Sequence, residues 1–409
     1  MAKLILFTSS FPYGDKETYL EKELEILSKE FAKIEIYPHF YKDQKTEKRI
    51  VPSNVKVHTP AYPLNKSGRL YLAFKGLFKR PKMSRFIKEF FQFKIYKSIE
   101  NFKRWSVSLF DYLATIGTSQ FNVLKKEDNV VFYFYWGIGW AYSCLNFEKK
   151  VNRKIFLRLH GGDAYLVRSN GYLPVRKLLF DKADYLLPIS DNLKKYLNDT
   201  FLIAYDKMIV SRLGVDIPKI EKRKKTINPI RIVSCSNVIA LKRISKILEA
   251  VSKIDEMNIE WVHFGDGPLL KDIKNQLKNM SLDTIKVSFF GRKDNHEILK
   301  YYKNQDVHAF VNVSKYEGVP VSIMEAMSYG IPCIATDAGA TSELVNRENG
   351  ILLPNNFSIQ DLINSFHKIQ STKWREKSEF AYQHCKEFFD AKNNYKKLGL
   401  LLIEKQEEC

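Results

Sequence analysis

The chain has 409 residues, 45% of them hydrophobic and 27% charged, with a formal net charge of +20. That length exceeds what one hydrophobic core organises and calls for two domains. The composition excludes a membrane-spanning protein, because no apolar run reaches bilayer length. The five scattered cysteines lack zinc-ligand spacing and fit a reduced cytosol, and no nucleic-acid-binding signature accompanies the basic charge.

The first residues carry a short apolar run followed by Phe11-Pro12-Tyr13-Gly14, the pattern of a strand and its loop rather than of a signal peptide. Strand-like runs follow at Ile34–Tyr37, Val55–His58, Val130–Tyr135, Ile155–Leu159, Tyr185–Pro188 and Met208–Leu213, after a first at Leu4–Thr8. A helix starting near Glu17 has an apolar stripe through Tyr19, Leu20, Leu24, Leu27 and Phe31. Between Lys66 and Trp105 twelve Lys and Arg stand against Glu89 and Glu100, interleaved with residues such as Leu70, Phe74, Phe86 and Phe90. A basic face opposite a Phe-rich face suits a helix lying in an anionic membrane surface. A solvated helix packed on its own domain is the alternative, and nucleic acid is a distant third.

The polar, charged stretch Lys219–Pro229 reads as an interdomain linker. The alternation then restarts, with strands at Ile232–Cys235, Trp261–Phe264, Val287–Phe290, Val307–Val313, Cys333–Thr336 and Ile351–Leu353 and helices between them, and the last thirty or so residues are helical and aromatic-rich. Strands alternating with helices predict α/β architecture: two Rossmann-like, doubly wound parallel sheets, with ligands outside the carboxyl ends of the strands in a cleft. The expected domains are 1–217, 218–385 and a C-terminal helix at 386–409 returning to the first.

The chemistry concentrates in the loops of the second half. Val307–Val313 leads through Glu317-Gly318-Val319-Pro320 into a helix containing Val321, Ser322 and Glu325, and Gly330 and Pro332 end it. A strand, a glycine turn and a helix start suit a phosphate, although plain core packing explains the same pattern equally well. Lys242 and Arg243 stand at another helix start, where cations oppose the dipole unless an anion joins them. Gly265-Asp266-Gly267-Pro268 and Gly291-Arg292 end two further strands.

Taken together these residues resemble the retaining, GT-B-fold glycosyltransferases of family 4, especially bacterial enzymes of capsular, exopolysaccharide and lipopolysaccharide assembly. The resemblance covers nearly the whole chain and is most specific at Glu317 and Glu325, the family's pair of glutamates with seven residues between, and in the run Ala326–Val345. It implies that Glu317 contacts donor-sugar hydroxyls and that Gly318, Val319, Pro320, Val321 and Ser322 hold sugar and diphosphate. Glu325 then binds the ribose, Lys242 neutralises the diphosphate, and Gly265, Gly291 and Arg292 line the nucleotide. In the first domain, Arg158-Leu159-His160-Gly161-Gly162-Asp163 resembles the His-Gly element beside the reacting centre, with His160, Gly161 and Asp163 positioning sugar or acceptor, and Gly14 falls near the phosphates.

Asn237 stands where the family usually has Arg, and Arg243 where Gly is common. Either Arg243 supplies the second positive charge or Lys242 acts with less help. The resemblance further implies a UDP- or GDP-linked sugar as co-substrate, no metal or other cofactor, and a saccharide or lipid-linked acceptor. It places the enzyme in the cytoplasm, in peripheral contact with the anionic inner membrane, with no nucleic-acid partner. A catalytically inactive GT-B subunit that binds membrane or a partner is the rival reading.

Overall fold

The computed structural model describes residues 3–14, 17–40, 47–62, 65–220, 228–280 and 282–408, so residues 221–227 of the expected linker lie outside the described residues. The chain divides into two units, Met1–Ser211 with Lys392–Cys409, and Arg212–Ala391.

Among the described residues the first unit has six parallel strands: β1 (Lys3–Thr8), β2 (Lys33–Pro38), β3 (Val55–Val57), β4 (Val130–Phe134), β5 (Arg153–Leu159) and β6 (Tyr185–Pro188), in the order β3-β2-β1-β4-β5-β6. Their near-continuous apolar runs are those of strands covered on both faces. Leu4, Leu6, Ile34, Ile36, Val131 and Tyr133 pack on the helix Tyr19–Glu30 and on Leu398 and Leu402 of the last helix, Ala391–Glu407. The buried Arg158 of β5 reaches Glu23 of that first helix at 2.7 Å, and the Tyr133 hydroxyl donates to the same carboxylate. This pair ties sheet to helix from inside the core, and removing one partner strands the other charge.

The second unit has the same topology in β7 (Ile230–Cys235), β8 (Ile259–Phe264), β9 (Ile285–Gly291), β10 (Ala309–Asn312), β11 (Cys333–Thr336) and β12 (Gly350–Leu353), ordered β12-β11-β10-β7-β8-β9. Strand order reverses between β1 and β4 in one sheet and between β7 and β10 in the other, the switch points at which such sheets bind ligands.

Two expectations change. Met208–Leu213 does not form a strand; it runs beside β6 through one bridge, Ile209 N–H to Leu186 and Ser211 N–H to Pro188. Its apolar residues satisfy burial without a full ladder. The basic segment is not one amphipathic helix lying free. Its helices are Lys66–Leu77, Met83–Gln92 and Ile99–Ile116, and the first packs so tightly on the third that a Cβ on Gly76 would meet the Leu113 carbonyl oxygen at 2.0 Å. Phe86 and Glu89 turn inward, while Leu70, Tyr71, Phe74, Phe78 and Phe91 stay exposed.

Candidate functional site

Because the strands of the second sheet are parallel, the loops leaving their carboxyl ends share one edge. The loops from β7 and β10, either side of the switch point, carry Lys242 and Glu317. Lys242 Nζ donates to Glu317 Oε1 at 2.6 Å, and Asn312 Nδ2 donates to the same oxygen at 3.3 Å. The Lys315 N–H bonds to the Leu241 carbonyl, so the backbones of the two loops are joined as well.

Arg243 is corrected here. Its guanidinium donates to the carbonyls of Val313, Ser314 and Asn355 and to Asn355 Oδ1, with Phe357 under it at 5.0 Å. It sits in the left-handed region at φ 51° and braces the end of β10 against the loop after β12. Its guanidinium is engaged within the protein, which makes it a brace of the loops rather than a second cation beside Lys242.

Pro320 caps the helix Val321–Ser328, whose first N–H groups open towards this edge. Half-buried Glu325 lies one turn in, where Asn295 Nδ2 donates to Oε1 at 2.6 Å, and burial pushes its carboxyl up to about 7. The glycines here serve close packing. A Cβ on Gly265 would lie 1.8 Å from the Ser236 carbonyl oxygen, and one on Gly339 would lie 2.1 Å from that of Glu317. The Gly265 N–H donates to the Gly291 carbonyl, and Arg292 is exposed beyond it. One edge thus assembles Lys242, Glu317, Gly318, Val319, Pro320, Val321, Ser322 and Glu325, with Gly265 packed on Ser236 and bonded to Gly291.

In the first unit His160 follows β5 and is only 6% exposed, yet neither ring nitrogen has a hydrogen-bond partner. Trp136 lies 4.1 Å from it, centroid to centroid, and Tyr135 5.1 Å. Burial, with Arg158 nearby, holds its pKa well below the imidazole range, so the ring is neutral and suited to hydrogen bonding rather than to acid catalysis. Two unpaired buried nitrogens are costly unless a ligand pairs them.

Asp163 is also corrected. Its carboxylate accepts from the N–H groups of His160 and Gly137, both at 2.7 Å, and is buried, so it orients the loop under the ring from inside the protein. Gly161 is buried in the short helical turn that follows His160. Gly14, at φ 72°, gives its carbonyl to Arg49 Nε at 2.6 Å.

Several contributors were missed in the sequence. Asn312 positions Glu317, and its signal was an amide inside an apolar strand. Asn295 positions Glu325. Glu17, read as a helix start, sits at φ 56° and accepts from the N–H groups of Ser9, Ser10 and Phe11 and from Trp136 Nε1. Glu89, read as one acid in a basic run, is buried with both oxygens on the Val175 N–H, and burial pushes it up to about 7.

Residues 217–384 match the family model of glycosyl transferases group 1. Escherichia coli (strain K12) WcaL, named for a glycosyltransferase of colanic acid biosynthesis, is 30% identical over 196 residues, 46% of this chain and 48% of that protein. The chain spans about half the length of the first curated relatives it matches. The solved structure of the lipopolysaccharide outer core galactosyltransferase WaaB in its apo form covers 99% of both chains at 17% identity, TM-score 0.68. Anabaena HepE in complex with UDP and glucose covers 98% of this chain and 99% of that one at 15% identity, TM-score 0.62. The fold is GT-B, with two Rossmann-like domains.

The raised carboxyl of Glu325 makes a prediction with a defined sign. Stability held by the neutral acid is complete below the ordinary carboxylate range and is lost as pH rises through about 7. Glu325→Gln removes that titration. In thermal denaturation from about pH 5 to about pH 8, the variant should match the wild type in acid and melt higher above neutrality. A wild type at least as stable as the variant at every pH would contradict the burial argument.

Proposed function

We propose that this chain, whose residues 217–384 match the model of glycosyl transferases group 1 and whose fold is GT-B, is a glycosyltransferase of bacterial surface-polysaccharide assembly. It moves a sugar from a nucleotide diphosphate to a glycan or lipid-linked saccharide. The observation that carries this reading is the edge where Lys242, Glu317 and Glu325 converge: a cation for a diphosphate, a carboxylate for sugar hydroxyls and a second for the ribose. UDP is the favoured nucleotide, because HepE and similarly folded proteins were solved with it; GDP is the runner-up.

In the proposed reaction the anomeric carbon–phosphate oxygen bond breaks as the acceptor oxygen bonds the same carbon from the same face. The configuration is retained, and the acceptor proton passes to the departing phosphate. Lys242 and the helix start after Pro320 stabilise the charge that develops on the leaving group, and the step needs no metal. His160, neutral and with unpaired nitrogens, positions sugar or acceptor by hydrogen bonding.

The exposed face of the basic helices suits an anionic lipid surface, which would place the enzyme at the cytosolic face of the inner membrane. Glu89 is buried and Glu100 is paired with Arg104 at 2.6 Å, so neither opposes the surrounding lysines and arginines, among which Leu70, Phe74 and Phe78 project.

Three outcomes test the proposal. Glu317→Ala and Lys242→Ala should each lower turnover of a nucleotide sugar by about 100-fold or more while circular dichroism stays that of the wild type; unchanged turnover would remove the site. EDTA should leave transfer intact, and a loss restored by Mg²⁺ would refute the metal-free step. In flotation assays the chain should rise with vesicles containing phosphatidylglycerol, and Phe74→Glu with Phe78→Glu should abolish this. Equal flotation of wild type and variant would reduce the basic face to solvated surface.

A further inference from the structure

The first unit holds a second feature that no role above uses. At the carboxyl ends of β1, β2 and β4, beneath the helices Lys66–Leu77 and Ile99–Ile116, lies a cavity of about 420 Å³, within the roughly 300–1,000 Å³ usual for small-molecule sites. Aromatic residues are the largest group in its lining, among them Phe40, Tyr62, Trp136 and Trp140. Polar residues interrupt them, among them His39 after β2, Arg69 from the first helix and Asp111 from the second, with Thr8, Ser9 and Ser108 beside these.

His39, Arg69 and Asp111 are each held in place. Tyr62 donates its hydroxyl to the Asp111 carbonyl at 2.8 Å and lies 3.1 Å from Asp111 Oδ1. The Arg69 guanidinium sits over the Tyr62 ring at 5.7 Å. His39 Nε2 is 3.3 Å from Thr115 Oγ1, and a Cβ on Gly139, which has φ 61°, would lie 3.0 Å from His39 Nδ1. Burial, with Arg69 nearby, drives His39 down to about 3, so it stays neutral. Burial raises Asp111 to about 6, and it is largely ionised at neutral pH.

We propose that this cavity is a saccharide subsite that takes a sugar ring of the acceptor. Aromatic planes pack against the apolar C–H face of a pyranose, while a carboxylate and a guanidinium accept from and donate to neighbouring hydroxyls. An acyl chain would bury Arg69 and Asp111 against hydrocarbon without compensation. A phosphate would meet the Asp111 carboxylate and a neutral imidazole. The cavity also shares the helix Lys66–Leu77 with the exposed basic, aromatic face, so a sugar seated here lies next to the surface proposed for lipid. The inference rests on the glycosyltransferase reading and gives its acceptor a place.

The test is saturation-transfer difference NMR on the full chain with glucose, galactose, mannose and N-acetylglucosamine, alongside 1-octanol and inorganic phosphate as competitors. At least one sugar should bind saturably. Asp111→Asn should weaken that binding by about tenfold or more. Val107→Trp, at an exposed position lining the cavity, should block it without a folding penalty. Thermal shifts induced by UDP should be the same in both variants as in the wild type. No saturable sugar, binding undiminished in Val107→Trp, or displacement by octanol or phosphate would each overturn the subsite. Sugar binding blocked by Val107→Trp in a chain that ignores every nucleotide would sink the donor reading and leave the subsite standing.

Discussion

The candidate site depends on the contact between Lys242 and Glu317. They are 23% and 11% exposed, respectively, and a pair so placed contributes little net stability once desolvation is counted. Its value is geometric. It joins the loops that leave β7 and β10 at the point where strand order reverses, and it holds a cation and a carboxylate side by side before any ligand arrives. Asn312 braces the carboxylate from below, and Arg243 clamps the carbonyls of Val313 and Ser314 behind it. A site fixed in this way spends less binding free energy on ordering itself.

The first unit solves a related problem with different groups. Glu17 and Asp163 are used almost wholly on backbone N–H groups, so that two loops at the edge of β1, β4 and β5 are tied down by carboxylates. Both imidazoles near these loops are neutral: His160 packed on Trp136, and His39 in the cavity that Arg69 and Asp111 also line. The two units thus differ in what they offer: a paired lysine and carboxylate in the second, and aromatic rings with neutral imidazoles in the first.

The architecture was legible from alternation alone, because a parallel strand buried on both faces reads as an apolar run whatever its neighbours do. The runs at Leu4–Thr8, Ile155–Leu159 and Cys333–Thr336 are all strands in the structure. Met208–Leu213 has the same composition but pairs with β6 only through an isolated bridge, and the extent of pairing is not written locally. The positions of the two glutamates were marked by spacing, and the roles expected of them by resemblance. The tasks of Arg243 and Asp163 were not, because one motif position serves a ligand or the protein's own backbone according to where the nearest carbonyls and N–H groups fall. Asn312, Asn295 and Glu17 act through residues distant in sequence or through a left-handed turn, and only three-dimensional proximity reveals them.

The central claim is that the second unit grips a nucleotide through its diphosphate with Lys242. Calorimetric titration of UDP and UMP, and of GDP and GMP, into the wild type and Lys242→Ala tests it most directly. The account predicts that the wild type prefers one diphosphate over its monophosphate by about tenfold or more, and that the preference collapses towards unity in the variant. Equal preference in both proteins, or a wild type that binds no nucleotide, would contradict it.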